Sequence, residues 1–248
     1  MDADDPHGAR ARFLTALESL EANGDEPAQL CQASVLSLPV RRAAIAVHVY
    51  GAGLEVLCAS DDVAEHVEWM QITLGEGPGV DAVASGGPVI VPDVATRSAR
   101  WPAFAPEAAS AGVGALYALP LEVGAIRVGV LDLYRDEPAP MEPDDLTDAL
   151  VVADLITAIL LTVGRTGRLT DALGPWWDQP LGTREVHQAT GMIVAQLEVT
   201  AHEAYVRMQA FAYARGSMLS EVAHAVVNRT LRFSPDPGAD PEEVAAQQ

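Results

Sequence analysis

The chain reads as an α+β protein, with an antiparallel sheet domain and its flanking helices followed by a small all-α module of three helices. Three observations predict this. Five short runs between Ala43 and Tyr134 are apolar or alternating, rich in Val, Leu and Ile, and divided by glycine turns, as strands are. A stretch from Gly164 to Thr183 then collects Gly167, Gly174, Pro175, Pro180 and Gly182, a density of breakers that marks a linker. Beyond it, Arg184 to Phe233 carries three apolar stripes at helical spacing.

Residues 1–12 are polar and acidic and read as a flexible tail, ahead of helices at Ala11–Glu21 and Glu26–Leu38 that Asn23-Gly24 separates. Strands are expected at Ala43–Tyr50 and Leu54–Ser60, joined by Gly51-Ala52-Gly53 as a hairpin. Three more fall at Pro88–Pro92, Gly114–Val123 and Ile126–Tyr134, the last two joined at Gly124-Ala125. Pro78–Ala84 and Trp101–Ala111 are short helical pieces between them, and the acidic pairs Asp61-Asp62 and Asp144-Asp145 read as helix caps or solubilising charge. His66, beside Glu65 and Glu68, is placed in a loop, and His48 on a strand.

Pro143–Val163 reads as a helix whose Val152, Leu155, Ile156, Ile159 and Val163 form one stripe, while Val151, Ala158, Leu161 and Thr162 leave much of the rest apolar. Such a helix needs two partners. One is the sheet. The other is either the same helix of a second chain or the amino-terminal helices of the same chain.

In the module, Val186, Ala189, Ile193 and Leu197 make the first stripe, and Thr200-Ala201-His202-Glu203 fits a capping box that opens the second helix. Ala204, Met208 and Phe211 give its apolar face, and Gly216 ends it. Leu219, Val222, Val226 and Leu231 make the third stripe, on a helix running to Arg232. A bundle of about 50 residues is marginal alone, so docking or dimerisation is expected. Ser234–Gln248 is proline-rich and acidic and reads as disordered.

Two resemblances follow from particular residues. Gln188-Ala189-Thr190-Gly191-Met192-Ile193, Ala204-Tyr205, Phe211-Ala212-Tyr213-Ala214 and Leu219-Ser220-Glu221-Val222-Ala223 resemble, in order, the ANTAR family of RNA-binding antitermination modules. Leu74-Gly75-Glu76-Gly77-Pro78-Gly79, Pro88–Asp93, Ala118–Leu121 and Gly129–Tyr134 resemble a GAF domain over roughly residues 30–163. The resemblances imply a GAF-like sensory and dimerisation domain at 13–163, a linker at 164–183 and an ANTAR module at 184–233. The chain departs from both families. Related GAF–ANTAR chains often carry cysteine where Gly79 stands, so thiol or metal chemistry there is excluded. Thr190, Val194 and Gln209 stand where lysine, methionine and arginine are common in ANTAR modules, which weakens phosphate contact.

Net charge is −20, and all fifteen basic residues are arginine. Such a surface opposes loose binding to nucleic acid or anionic membrane. The module differs: five arginines against four glutamates between Arg184 and Phe233 leave it near +1. That balance permits RNA contact without making a basic patch. Cys31 and Cys58 belong to no ligand spacing and read as buried thiols of a reducing cytoplasm. The first residues are unlike a signal peptide and no apolar run spans a bilayer, so a cytoplasmic chain without membrane contact is expected.

RNA hairpin loops are read by stacking and base-edge hydrogen bonds. His187, Gln188, Thr190 and Gly191 on the first module helix, with Arg207, Tyr213 and Arg215 on the second, are the candidate RNA-binding residues. Each has a plainer alternative: Arg207 paired with Glu203 four residues earlier, Tyr213 in the core, Gly191 for helix packing. Trp176 and Trp177 in the linker either lock the module to the GAF domain or form a hydrophobic plug, and the plug is the simpler reading. The turn Leu74–Gly79 either presents amides to an anion or is structural. No catalytic motif, cofactor fingerprint or metal-ligand spacing occurs. The expectation is therefore a non-enzymatic, cytoplasmic, homodimeric regulator without cofactor or metal. It binds hairpins in nascent RNA to promote transcription antitermination, under control of a GAF domain with a possible small-molecule ligand. The rivals are a DNA-binding regulator, opposed by a third helix poor in base-reading side chains, and an interaction protein whose RNA face has decayed.

Overall fold

The computed structural model describes residues 6–21, 27–49, 53–124, 126–163, 183–234 and 242–243. Five strands, β1 Arg42–Val49, β2 Gly53–Ala59, β3 Val89–Val91, β4 Ala115–Val123 and β5 Ile126–Arg135, pair in the order β2-β1-β5-β4-β3. All neighbours are antiparallel. The alternation along each strand sends residues to two faces. Ile45, Tyr117, Leu119, Leu131 and Leu133 enter one core, and Ala44, Ala46, Leu116, Ala118 and Val130 the other. Gly129 sits where β1 and β5 approach closely: a Cβ there would lie 2.0 Å from the Ala46 carbonyl oxygen.

The first face is covered by α1 Pro6–Glu21, α2 Ala28–Ser37 and α6 Pro143–Val163. Helix α1 is described from Pro6 onward, ahead of the expected Ala11. Helix α6 packs on β4 and on α1 of the same chain: Ala149, Val152, Ala153 and Ile156 are buried there, while Leu150 stays 38 % exposed. Of the buried four, Val152 and Ile156 each contribute on the order of 1.5–3 kcal/mol by leaving water.

The opposite face is covered by α3 Asp62–Leu74, α4 Pro78–Ser85 and α5 Phe104–Ser110. Helix α3 replaces the loop expected around His66. Asp61 caps it, its Oδ1 accepting the Ala64 N–H at 2.9 Å, and Gly75 ends it in the left-handed region at φ 64°. Its second half, Val67 to Thr73, is buried at every position, polar Glu68 and Gln71 included, so no single apolar stripe announces it.

The third layer is the module, α7 Thr183–Leu197, α8 Ala201–Arg215 and α9 Leu219–Val227. The expected third helix to Arg232 is shorter. It stops at Val227, Arg229 turns the chain at φ 60°, and Leu231 fills the core from a short strand, β6 Leu231–Arg232. That strand pairs with β7 Glu242–Glu243, inside the segment expected to be disordered. The expectations for Trp176, Trp177 and residues 164–182 lie outside the described residues. No helix among the described residues is long and apolar enough to cross a membrane.

Candidate nucleic-acid interface and its seat on the sheet domain

The module folds around Val186, Ala189, Ile193, Tyr205, Met208, Ala212, Leu219, Val222 and Val226, all buried. The capping box at Thr200 is complete. Its hydroxyl accepts the Glu203 N–H at 3.2 Å, and the Glu203 carboxylate accepts the Thr200 N–H at 3.1 Å. These bonds hold the Glu203 carboxyl below its usual range, and the Arg207 charge adds a smaller share. Gly216 ends α8 at φ 61°, with Ser217 N–H returning to the Ala212 carbonyl at 2.9 Å.

The candidate residues divide by exposure. Along α8, Val206, Arg207, Ala210, Tyr213 and Ala214 are exposed on one side of the helix. Tyr213 is 60 % exposed and so is no core residue. No ion pair joins Arg207 to Glu203 among the described residues, because Glu203 is committed to Thr200. Arg215 lies over the Phe211 ring at 5.1 Å, and that ring meets Phe233 edge-on. On α7, Gln188 and Gly191 are exposed, and a Cβ on Gly191 would meet nothing within 4 Å. Its surface is therefore open to an approaching molecule. Thr190 is buried, its hydroxyl donating to the Val186 carbonyl at 2.7 Å. His187 is turned to the sheet domain, its Nε2 lying 2.9 Å from Glu55 Oε2 on β2, the edge strand. Glu55 is 2 % exposed, and among the described residues its other oxygen has no hydrogen-bond partner.

Two further bonds seat the module on α3, and both join helix ends. The Ile72 carbonyl belongs to the last turn of α3, where carbonyls lack a helical donor, and Gln209 Nε2 donates to it at 2.5 Å. The Leu219 N–H belongs to the first turn of α9, where amides lack an acceptor, and it donates to Thr73 Oγ1 at 3.1 Å. Each domain thus satisfies a helix end of the other. One apolar core runs on through the seat, from Val67, Trp69 and Ile72 into Ala204, Met208 and Leu219. Gln209 and Val194, positions where ANTAR phosphate contact was expected to be weak, are turned inward: Gln209 to α3 and Val194 against the core.

Directly before Ile72 and Thr73, Gln71 anchors a buried polar network. Gln71 Nε2 donates to Asp132 Oδ2 at 2.5 Å and to Glu68 Oε2 at 3.1 Å, and Tyr134 OH donates to Glu68 Oε2 at 2.8 Å. Burial raises the Glu68 carboxyl above its usual range. Burial together with the Glu68 charge raises the Asp132 carboxyl well above its usual range. Among the described residues Asp132 Oδ1 has no hydrogen-bond partner. The Leu74–Gly79 turn is consumed by this packing. Glu76 accepts the Ala103 N–H at 3.1 Å, and the Gly79 N–H donates to Gln71 Oε1 at 2.8 Å. No amide of Gly79 is left for an anion. A Cβ on Gly79 would lie 2.5 Å from Asp132 Oδ2, so a side chain there would collide with the network. Among the described residues no group of three or more His, Cys, Asp or Glu is placed to hold a metal ion.

The sequence carries no signal for the docking roles of Thr73, Gln209 and Glu55. The one signal for the Gln71 network is Asp132, a lone acid inside the apolar run Gly129–Tyr134.

Residues 28–160, more than half the chain, match the GAF domain family, and residues 182–227 match the ANTAR domain family. The chain belongs to the GAF family and carries an ANTAR domain behind its GAF domain. Solved structures similar to it include the GAF domain of a phosphoenolpyruvate-protein phosphotransferase from Coxiella burnetii. It is 14 % identical, with 64 % of this chain and 98 % of that one covered at a TM-score of 0.47. A free methionine-R-sulfoxide reductase from Neisseria meningitidis, in complex with its substrate, is 15 % identical, with 67 % and 96 % covered at a TM-score of 0.48. No curated protein matches the chain. GAF domains are sensory modules and ANTAR domains bind RNA, so the chain is of the regulatory kind.

Proposed function

We propose that this GAF–ANTAR chain is a non-enzymatic cytoplasmic regulator that binds hairpins in nascent RNA and promotes antitermination. The supporting observation is the α8 surface: Arg207 and Tyr213 stand exposed on one side of a module whose core and caps are complete. An exposed ring offers a stacking platform for a splayed base, and a guanidinium offers a fork for phosphate. Gln188 and Gly191 add an open surface on α7, and Arg215 completes the cationic end of α8. Thr190 and His187 drop out of the contact set and take structural work instead.

Control by the GAF domain runs through the last turn of α3. Gln71 holds the buried carboxyl network, and the next two residues, Ile72 and Thr73, hold the module. A small molecule that competes for the Gln71 bonds moves the same turn, and the module's placement follows. A ligand acts this way only if it binds the two placements with different affinity. The regulator works as a homodimer, so that two modules address paired hairpins; the exposed Leu36 and Leu150 lie on the helical layer available to a second copy.

The test is a titration of the full chain with RNA hairpins selected from a random-loop pool, against DNA hairpins of the same sequence. Binding to RNA loops, weakened by Tyr213→Ala about 5- to 150-fold as expected for the loss of one stacked base, supports the reading. Equal binding to DNA, or none to either, removes it.

A further inference from the structure

The two cysteines meet inside the core beneath α1, α2 and α6. Cys31 lies on α2, and Cys58 reaches it because of an irregularity in β2. Strand β2 pairs with β1 as Ala46↔Val56 and then as Ile45↔Cys58, which leaves Leu57 as an extra residue. A bulge of this kind re-aims the side chains beyond it. Val56 belongs to the core under α3, Leu57 to the core under α2, and regular alternation would return Cys58 to the α3 side. The bulge keeps it with Leu57 instead, and its Sγ lies 2.7 Å from the Sγ of Cys31. That is closer than the ~3.5 Å at which even non-bonded carbons rest. About 0.7 Å of further approach would bring the sulfurs to bonding distance.

We propose that Cys31 and Cys58 form an oxidisable pair that closes to an intramolecular disulfide and staples α2 to β2. With a hydroperoxide as oxidant, one sulfur takes the distal oxygen as the O–O bond breaks. This gives a sulfenic acid, with the remainder released as water or an alcohol. The second sulfur then attacks the first, the S–S bond forms, and the oxygen leaves as water. The two thiols together lose two electrons and two protons, and the peroxide gains them. Both thiols are fully buried, and burial together with the neighbouring Cys58 thiol pushes Cys31 up, so attack waits on opening of α2. The pair therefore answers sustained oxidation and ignores brief exposure. The strand it fixes is the one that carries Glu55, the partner of His187 on the ANTAR module.

The test treats the full chain with hydrogen peroxide, denatures it in acid, alkylates free thiols and weighs the intact protein. The expected result is joint loss of both alkylatable thiols within one chain, whose mass is ~2 Da below that of the reduced, unalkylated chain. The oxidised chain should also melt about 5–15 °C higher, given the 27-residue separation of the pair, and dithiothreitol should reverse both changes. Two alkylatable thiols after treatment would overturn the proposal, as would oxygen adducts on single cysteines or cross-links only between chains. Cys58→Ser should abolish the thermal rise, and a rise that persists in that variant would overturn it equally.

Discussion

Thr73→Val together with Gln209→Ala removes both bonds that cap one domain's helix with the other's side chain. The effect can be worked from the geometry. Valine keeps the shape of Thr73 but offers no acceptor, so the buried Leu219 N–H at the start of α9 is left alone, at a cost of about 1–3 kcal/mol. Gln209→Ala leaves the Ile72 carbonyl without its donor and costs about 1 kcal/mol. The two bonds meet on consecutive residues of α3, so they couple; their uncoupled sum is ~2–4 kcal/mol, or roughly 30- to 1000-fold in the docking equilibrium. Hydrogen exchange resolved by residue is the assay. The Leu219 amide and the last turn of α3 should exchange faster by that factor, while Ile45, Leu131 and Leu133 in the sheet stay protected. Unchanged exchange at Leu219 would refute the shared capping. Equal acceleration throughout the sheet would show that the seat is part of one folding unit and not a separable contact.

Three other outcomes follow from the same geometry. Asp132→Asn should stabilise the chain increasingly as pH rises. Below the ordinary carboxyl range Asp132 is protonated whether folded or not; above it the unfolded chain ionises first, so until the folded carboxyl ionises too the fold loses stability that asparagine retains. Thermal melts from pH 4 to 8 should therefore show the variant's advantage growing with pH, and a constant difference would contradict the raised Asp132. Gly79→Ala should cost about 1–3 kcal/mol in urea unfolding, because its Cβ would collide with Asp132 and crowd Gln71; a neutral substitution would mean the network yields freely. His187→Ala, which leaves buried Glu55 without its partner, should cost about 1–3 kcal/mol, discounted for a histidine side chain one-third exposed. Glu55→Gln in the same background should recover part of it.

The sheet was legible because its strands alternate or run apolar between glycine turns, and all five fall within a residue or two of their expected places. The module's first two helices were legible from Val186, Ala189, Ile193 and the Thr200 capping box. Helix α3 was not, because burial on both sides erases periodicity: Glu68 and Gln71 face a polar network, while Ile72 and Thr73 face the module. The end of α9 was misread because Leu231 keeps helical spacing with Val227 and Asn228 only in sequence; the left-handed turn at Arg229 brings it to the core from outside the helix. Of the candidate surface, Arg207, Tyr213, Gln188 and Gly191 stand exposed, and Arg215 is exposed against Phe211. Thr190 and His187 were indistinguishable from them by residue type, since what separates them is the Val186 carbonyl and a carboxylate 132 residues away.

The most direct measurement is crosslinking of the chain to transcripts in its host, followed by sequencing, with an Arg207→Ala/Tyr213→Ala chain alongside. Enrichment of hairpins that precede terminators, lost in the variant while its thermal melt is unchanged, is the predicted result. Equal recovery of transcripts by both chains, or no enrichment over background, would contradict RNA recognition by this surface of α8.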